Sequence, residues 1–221
     1  MSEGNVPAWL KSLGRRTLPP SLIVGDAQYS LAQVYKNDFF AITARYDAPS
    51  GSVILKANRQ APFMGIPLRW IGRWLARHEE RAFSRLAGVE GIPPYLGRWE
   101  GTGIIHAFIP GHAMQKGERV PDDFHPRLAA IIAEIHRRGM AYVDLEKCEN
   151  VLVGDDGHPY LIDFQIAFYW PWRWGENGWP VRWLRRRSWV AWFVWATPSV
   201  WPIPRSRWVA HSCSHRQNSS T

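Results

Sequence analysis

The sequence has little of what marks a secreted or membrane-spanning chain. Its 221 residues contain two cysteines, Cys148 and Cys213, which lie far apart and provide no disulfide framework. Residues 1–20 lack the continuous apolar stretch of a secretory signal peptide, and the longest apolar run, residues 189–196, is too short to cross a bilayer as a helix. We therefore expect a protein of the reducing cytoplasm.

Several common catalytic motifs are also absent. The sequence has no Gly-x-x-x-x-Gly-Lys-Ser/Thr, His-Glu-x-x-His or Gly-x-Ser-x-Gly segment, which excludes P-loop nucleotide binding, zincin-type metalloproteases and the hydrolase nucleophile elbow. With 46% hydrophobic and 21% charged residues, the composition excludes a disordered or collagen-like chain. At this length it predicts one compact domain or two small lobes.

Charge and tryptophan are unevenly distributed along the chain. Residues 167–221 hold eight Arg, no Lys, one acidic residue and ten of the fourteen Trp. We therefore separate residues 176–221 as a Trp/Arg-rich C-terminal tail without a clear helical or strand period. The plainer interpretation is an unstructured or altered terminus. The alternative is a basic-aromatic segment that contacts anionic membrane at the inner leaflet or, as the less favoured partner, nucleic acid.

Short apolar and alternating segments predict an antiparallel sheet after an N-terminal extension, residues 1–30. Five strands are expected: Leu31–Lys36, Ala41–Asp47, Val53–Ala57, Tyr95–Trp99 and Gly103–Ile109. Between the third and the fourth strand, apolar residues at three- and four-residue spacings predict one amphipathic helix from Pro67 to Leu86, with Gly88 just beyond its end. Residues 31–110 form the first lobe in this interpretation.

Residues 111–175 predict a second, smaller lobe. Pro126 opens a helix that Gly139 ends, and a polar loop follows it. A Gly-Asp-Asp-Gly turn signal then joins two short predicted strands, Val151–Val153 and Tyr160–Ile162.

The polar residues around these elements suit phosphoryl transfer. Lys56 lies inside the third predicted strand, where it can bind phosphate oxygens if an acid on the following helix pairs with its ammonium group. Asp144 lies in the polar loop, and Asn150 and Asp163 come just before and just after the predicted hairpin. One Asp can accept the proton of an attacking hydroxyl, while an Asn and a second Asp can hold magnesium.

Three segments carry a resemblance to a known group of proteins. Val53-Ile54-Leu55-Lys56 resembles the Val-Ala-Ile-Lys strand of kinases, residues 144–150 resemble the catalytic loop, and Asp163-Phe164-Gln165 resembles Asp-Phe-Gly. The chain thus resembles the protein-kinase-like superfamily, and looks closer to atypical RIO kinases and bacterial lipopolysaccharide (Kdo and heptose) kinases than to signalling kinases. The resemblance implies an α+β, two-lobed fold: a five-stranded antiparallel N-lobe with one helix, and a truncated, mainly helical C-lobe.

The same resemblance implies an ATP site in the first lobe. Lys56 is expected to bind phosphate, with Glu79 as its helix partner and Glu80 as the fallback. In the segment that corresponds to the hinge, main-chain groups of His106 and Phe108 would pair with adenine.

The second lobe would supply the transfer chemistry. The resemblance makes Asp144 the catalytic base and Lys147 a stabiliser of the transferring phosphoryl group, and it makes Asn150 and Asp163 the magnesium ligands. ATP and Mg²⁺ are then the cofactors. The expected acceptor is a hydroxyl of a protein Ser or Thr or of a lipopolysaccharide core sugar.

Departures from the family pattern keep other classes open. Asn37-Asp38-Phe39-Phe40 stands where kinases have a glycine-rich loop, Tyr142 replaces the histidine of His-Arg-Asp, and Gln165 replaces the glycine of Asp-Phe-Gly. A catalytically degenerate nucleotide-binding or scaffold protein is therefore one alternative. A basic-aromatic binding module that acts through the tail is the second.

Overall fold

The structure, a computed structural model, describes Pro7, residues 10–145 and residues 147–169. The tail of residues 176–221 lies outside this part of the chain, so its contact with membrane or nucleic acid stays a prediction. Within the part described, no helix has the length and apolar character needed to cross a bilayer.

The chain divides into two compact units. The first contains the residues up to Gly88 together with Ile92–Ile109, and the second contains Val89–Gly91 and the residues from Pro110 onward. Each unit buries its own set of apolar side chains.

The first unit is built on a six-stranded antiparallel sheet. Its strands are β1 (Ser21–Val24), β2 (Ala27–Asn37), β3 (Ala41–Ala48), β4 (Gly51–Asn58), β5 (Tyr95–Trp99) and β6 (Gly103–Ala107), in the order β1-β2-β3-β4-β6-β5. The expected count of five strands is wrong, because β1 and the start of β2 lie within the predicted N-terminal extension. A strand of four residues is too short to show a clear alternation, and only the Gly25-Asp26 turn that joins it to β2 gave a local signal.

Strand β4 lies in the middle of this sheet. Its residues Val53–Asn58 are all buried. Because side chains alternate along a strand, Val53 and Leu55 enter the apolar core with Tyr46, while Lys56 lies on the other face. The sequence therefore places a charged side chain in a strand that is buried on both faces.

One helix, α1 (Arg69–Arg85), packs on β4, β5 and β6. It begins later than predicted, since Pro67 lies before the N-cap residue, Leu68. The helix approaches the rest of the first unit closely at Gly72, where a Cβ atom would clash with the carbonyl oxygen of Arg59. Glycine is therefore required at this position by packing.

The second unit contains one α-helix and five short strands among its described residues. The helix is α2 (Phe124–Arg137), and the strands are β7 (Gly111–Ala113), β8 (Met140–Ala141), β9 (Val151–Gly154), β10 (Pro159–Leu161) and β11 (Phe168–Tyr169). They form a three-stranded sheet in the order β10-β9-β7 and a separate β11-β8 pair. The predicted hairpin is confirmed by the antiparallel pairing of β9 with β10.

The expectation of a mainly helical second lobe is wrong for the described residues. Strands β7, β8 and β11 pair with segments far away in the sequence and have only two or three residues each. No periodic pattern fits in so few residues, so these strands could not be predicted from the sequence. Helix α2 begins at Phe124, so Pro126 lies in its first turn. The N–H groups of the first turn form no hydrogen bond within the helix, so a proline, which has no N–H, is tolerated there.

Candidate functional site

Lys56 and Glu79 form an ion pair inside the first unit. Lys56 Nζ lies 3.0 Å from Glu79 Oε1, and 11% and 1% of the two side chains are exposed. The other acid considered, Glu80, instead accepts a hydrogen bond from Tyr95 and pairs with Arg98. Taking both charges out of water offsets most of their attraction, so such a pair adds little net stability and points to another use of the charges.

His106 is buried on β6, the strand next to Lys56. Its ring stacks on that of Phe83 with 5.5 Å between centroids, and Nδ1 donates to the carbonyl oxygen of Ala107 at 2.9 Å. Burial lowers the pKa of His106 to about 4, and the charge of Lys56 acts in the same direction. The imidazole is therefore neutral at physiological pH. The sequence interpretation considered only the main chain of this residue and missed its side chain.

The main chain of the hinge-like segment is largely engaged by the sheet. His106 pairs with Ile54 of β4 and with Tyr95 of β5, and the N–H of Phe108 donates to the carbonyl oxygen of Ser52 at 3.1 Å. Of the main-chain groups expected to pair with adenine, the Phe108 N–H is therefore used within the unit. Of the main-chain groups of Phe108, the carbonyl oxygen is the one that this arrangement offers to an adenine amino group.

The turn between β2 and β3 differs from a glycine-rich loop in what its N–H groups do. Asp38 Oδ1 accepts from the N–H groups of Phe40 and Ala41, both at 2.9 Å. Burial alone would raise the pKa of Asp38, but the bonds from Ala41 and Phe40 and the ammonium of Lys36 hold it below its usual range. A carboxylate therefore uses the N–H groups that a glycine-rich loop would offer to phosphates.

Asp144 is the centre of a small polar cluster in the second unit. Lys147 Nζ lies 2.6 Å from Asp144 Oδ2, and the Asn150 side-chain amide donates to the same oxygen at 3.1 Å. The amide also donates to the main-chain oxygen of Asp144 at 3.1 Å. A 3₁₀ turn, Cys148–Asn150, returns Asn150 to this position. The structure thus brings together three of the residues that the sequence singled out.

Asp163 lies at the same end of the β9–β10 hairpin as Asn150. The N–H of Ile162 donates to the carbonyl oxygen of Asn150 at 3.1 Å, which extends the ladder by one residue beyond Leu161. The residues that flank the hairpin in sequence are therefore neighbours in space. The nitrogen of the Asn150 amide is the donor to Asp144, so its Oδ1 is the atom that can face a cation.

Asp163 has a left-handed backbone, with φ of 63°. A non-glycine residue in this region carries strain, which persists where the surroundings fix it and is found preferentially at functional sites. The N–H of Gln165 donates to Asp163 Oδ1 at 3.4 Å. Gln165 itself does not have a positive φ, so the backbone here does not require the glycine of the family pattern.

Tyr142 makes contacts beside Asp163 that the sequence interpretation missed. Its hydroxyl donates to the carbonyl oxygen of Ile162, and its ring meets that of Phe164 edge to face at 5.3 Å. Tyr142 thus holds the residues on both sides of Asp163. In the sequence it was only a departure from His-Arg-Asp, and no local pattern showed this contact.

The second unit offers oxygen ligands rather than a closed metal cage. The described residues contain no group of three or more His, Cys, Asp or Glu that could hold a metal ion. Magnesium commonly takes one or two protein oxygens and fills its other positions with water and substrate phosphate. The Asp163 carboxylate and Asn150 Oδ1 fit this donor set and do not fit a structural zinc site.

Comparison with known proteins gives matches in structure and not in sequence. No family model and no curated protein matches the chain. The Rio2 kinase from Chaetomium thermophilum, in a complex with ADP, Mg²⁺ and phosphoaspartate, matches with a TM-score of 0.58 and 15% identity over 79% of this chain and 59% of that chain. A second structure of that kinase gives 0.59 and 16% over 80% and 60%.

These matches establish a protein-kinase-like fold. They rest on 15% and 16% identity, so they carry the fold alone. The chain spans about 60% of the length of these two neighbours. Activity, substrate and partner therefore have to be argued from this chain's own residues.

Proposed function

We propose that the chain binds ATP with Mg²⁺ and transfers the γ-phosphoryl group to a hydroxyl acceptor. The observation that supports this most is the buried Lys56–Glu79 ion pair, at 3.0 Å, in a protein-kinase-like fold. A lysine fixed in a strand by an acid is what phosphate binding needs. The Rio2 neighbour in complex with ADP and Mg²⁺ supports the same ligands for this chain.

In the proposed complex, each polar residue has one task. Lys56, held by Glu79, binds phosphate oxygens of ATP. Asn150 Oδ1 and the carboxylate of Asp163 hold Mg²⁺, which when bound neutralises charge on the phosphates. The neutral His106 lies against Phe83 in the same unit as Lys56, where it keeps the surroundings of the ammonium apolar without adding a second positive charge. The carbonyl oxygen of Phe108 accepts from the adenine amino group.

The transfer step uses the cluster around Asp144. The acceptor oxygen bonds to the γ-phosphorus while the bond from that phosphorus to the bridging oxygen of ADP breaks, and Asp144 takes the hydroxyl proton. Lys147, 2.6 Å from Asp144 Oδ2, supplies positive charge to the transferring group. Asn150 orients the carboxylate through its amide.

We further propose that the chain is of the atypical RIO or lipopolysaccharide-kinase type. The Asp38-closed turn and Tyr142 both separate it from ordinary signalling kinases. The acceptor is then a protein Ser or Thr or a lipopolysaccharide core sugar. Radiolabel transfer from ATP to a protein substrate and to a purified lipopolysaccharide core distinguishes the two.

The test is a thermal-shift titration with ATP, with and without Mg²⁺, followed by phosphoryl-transfer and phosphate-release assays on the same samples. The variants are Lys56→Met and Asp163→Asn. Asn tolerates a positive φ and keeps the Oδ1 acceptor for Gln165, so Asp163→Asn removes the charge while leaving the turn intact. We expect magnesium-dependent stabilisation in the parent and its loss in both variants.

Each variant has a matched control. Lys36→Met makes the same change on the exposed strand β2, and Asp155→Asn makes the same change at the other end of the β9–β10 hairpin. Both controls should bind ATP as the parent does. Loss of stabilisation in the controls, or its retention in Asp163→Asn, would contradict the assignment. Binding without transfer to either acceptor class would instead favour the catalytically degenerate alternative.

A further inference from the structure

Helix α1 presents an exposed face on which basic and aromatic side chains are concentrated. Four exposed Arg recur at intervals of four residues and form one stripe: Arg69, Arg73, Arg77 and Arg81. Beside them lie Trp70 and Trp74, with 65% and 59% of their surfaces exposed. Glu79, on the opposite side of the same helix, is buried against the sheet. One side of α1 thus carries Glu79, the partner of Lys56, and the other side carries the exposed Trp and Arg.

Within the described part of the chain, no ion pair engages any of the four Arg of this stripe. The two acids of the helix are occupied, since Glu79 pairs with Lys56 and Glu80 with Arg98. The Glu100 carboxyl interacts with one of the four: its pKa is lowered first by a hydrogen bond from Arg16, which pairs with it at 2.9 Å, and to a lesser degree by the charge of Arg69. Among the described residues, Arg73, Arg77 and Arg81 thus form no ion pair with an acid, and the stripe carries net positive charge.

Arg69 does not serve the stability of the helix. The first turn of α1 contains no acidic residue and begins with Arg69. Cations near a helix N-terminus oppose the helix dipole. The arrangement is therefore unfavourable for the helix itself and favourable for an anionic partner.

An apolar turn precedes the helix. The main chains of Phe63 and Ile66 exchange two hydrogen bonds, at 3.0 and 2.9 Å, which leaves Met64 and Gly65 at the tip with φ of 49° and 79°. A turn of this kind favours Asn at the first tip position, yet here the residue is a Met that is 86% exposed. Ile66 is 59% exposed as well.

Arg59 joins this turn to the helix. Its guanidinium lies 3.8 Å from the ring centroid of Phe39 and 5.9 Å from that of Phe63. Its carbonyl oxygen lies against Gly72 of α1. Arg59 thus contacts both the turn and the first part of the helix, and the turn ends three residues before Arg69. The apolar tip therefore lies beside the start of the Trp/Arg stripe.

We propose that this surface binds a bilayer that contains anionic phospholipid. We call it the α1 face, and it consists of Met64, Ile66, Trp70, Trp74 and the four Arg of the stripe. Trp suits the level of the headgroups, Arg attracts anionic lipid, and exposed aliphatic side chains gain by entering the acyl boundary. Met64 and Ile66 cannot stack on bases as aromatic side chains do, which favours lipid over nucleic acid.

The test is sedimentation of the full chain with vesicles of pure phosphatidylcholine and of phosphatidylcholine with phosphatidylglycerol, at low and high salt. The first variant is Met64→Asn/Trp70→Gln/Trp74→Gln. Asn relieves the strain at position 64, so the change at the tip does not threaten the fold. We expect binding to the anionic vesicles to fall by about tenfold or more as apolar contact is lost.

A second variant removes charge alone. Arg73→Gln/Arg77→Gln should weaken anionic-vesicle binding by about fivefold per Arg at low salt, with a smaller effect at high salt. Ile23→Asn is the control for the first variant, since it also replaces an exposed apolar residue with a polar one. Ile23 is 77% exposed on β1, at the far edge of the sheet from the strands that contact α1. Its binding should equal that of the parent.

The outcomes separate the possible surfaces. Unchanged vesicle binding in both multiple variants would overturn the proposal and place any membrane contact elsewhere, for example in residues 176–221. Loss of oligonucleotide binding together with unchanged vesicle binding would overturn it in favour of nucleic acid. Because no residue of the α1 face has a role in the proposed phosphoryl transfer, magnesium-dependent stabilisation by ATP should survive in every variant.

Discussion

The two units each contain a lysine paired with an acid, in very different surroundings. In the first unit, Lys56 and Glu79 are joined at 3.0 Å and are 11% and 1% exposed. In the second, Lys147 and Asp144 are joined at 2.6 Å, with the lysine 53% exposed and the acid 15%. Similar distances therefore correspond to different energetics, because water screens only the second pair.

The difference indicates how each pair can be used. The buried pair is fixed by the sheet and the helix, so Lys56 presents its charge at one position. The lysine of the second pair is 53% exposed beside a short 3₁₀ turn, so it can exchange the Asp144 carboxylate for an incoming anion at little cost. In the proposed reaction, the fixed Lys56 is suited to binding the phosphates of ATP before transfer. The exposed Lys147 is suited to contacting the phosphoryl group while it is transferred.

The largest expected effect is on the buried pair. Glu79→Ala leaves Lys56 buried without its acid and should lower the free energy of unfolding by about 3–5 kcal/mol. The double variant Lys56→Met/Glu79→Leu removes both charges and should recover most or all of this loss, without recovering ATP binding. Urea denaturation and an ATP titration measure the two quantities. A double variant as unstable as Glu79→Ala would show that the pair is needed for the fold itself.

The next largest effect is a pH dependence of the stability, caused by His106 in the same unit. The pKa of His106 is lowered to about 4 by burial and by the charge of Lys56, while the unfolded chain protonates near the ordinary value of 6.5. The unfolded state therefore binds more protons below pH 6.5, and stability falls as the pH drops from 6.5 to 4. The total loss is on the order of 3 kcal/mol.

His106→Phe isolates this contribution, because Phe keeps a ring against Phe83 and has no titratable group. The difference between the stabilities of parent and variant, measured by urea denaturation at several pH values, should change between pH 6.5 and 4 and stay constant above 6.5. Parallel curves over the whole range would contradict a buried neutral imidazole.

A smaller effect is expected at Tyr142 in the second unit. Tyr142→Phe keeps the ring against Phe164 and removes the hydrogen bond to the carbonyl oxygen of Ile162, which should cost about 1 kcal/mol of stability. If Tyr142 positions Asp163, the Mg²⁺ concentration needed for half-maximal stabilisation by ATP should also rise. A purely structural role would lower the melting temperature and leave that concentration unchanged.

The smallest effect on stability is expected at the exposed pair. Lys147→Ala should change the free energy of unfolding by about 0.5 kcal/mol or less, because water screens the pair. It should nevertheless reduce the rate of phosphoryl transfer at saturating ATP. Arg137→Ala is the control, since it breaks another surface pair, with Glu134 on helix α2. Equal rates in the two variants would argue against a role for Lys147.

Sequence reasoning reached the elements that have a local signal. The β3–β4 hairpin, the strands β5 and β6, both helices and the β9–β10 hairpin follow from periodicity and turn residues, and the structure contains all of them. The resemblance to kinases singled out Lys56, Glu79, Asn150 and Asp163, and the structure places each of them beside or within such an element, while their roles stay predictions. A protein-kinase-like fold was therefore expected from the resemblance, and the matches to Rio2 kinase agree with that coarser prediction.

Features that depend on contacts between distant segments were out of reach. The short strands β7, β8 and β11 exist only through their partners, and the missed strand β1 is four residues long. The side-chain environment of His106, the bond from Tyr142 to Ile162 and the Asp38 cap on the β2–β3 turn also have no periodic signature. Each depends on which atoms lie near it in space.

The sequence by itself determined the order of the elements and the chemical types available, because hydrophobic period and turn propensity act over a few neighbouring residues. Only the tertiary structure decided which acid pairs with Lys56, since Glu79 and Glu80 are adjacent and differ only in the side of α1 on which they lie. It also decided that Trp70 and Trp74 lie outside the core, although their spacing suits a buried helix face. The reason is that burial depends on the packing of the whole unit.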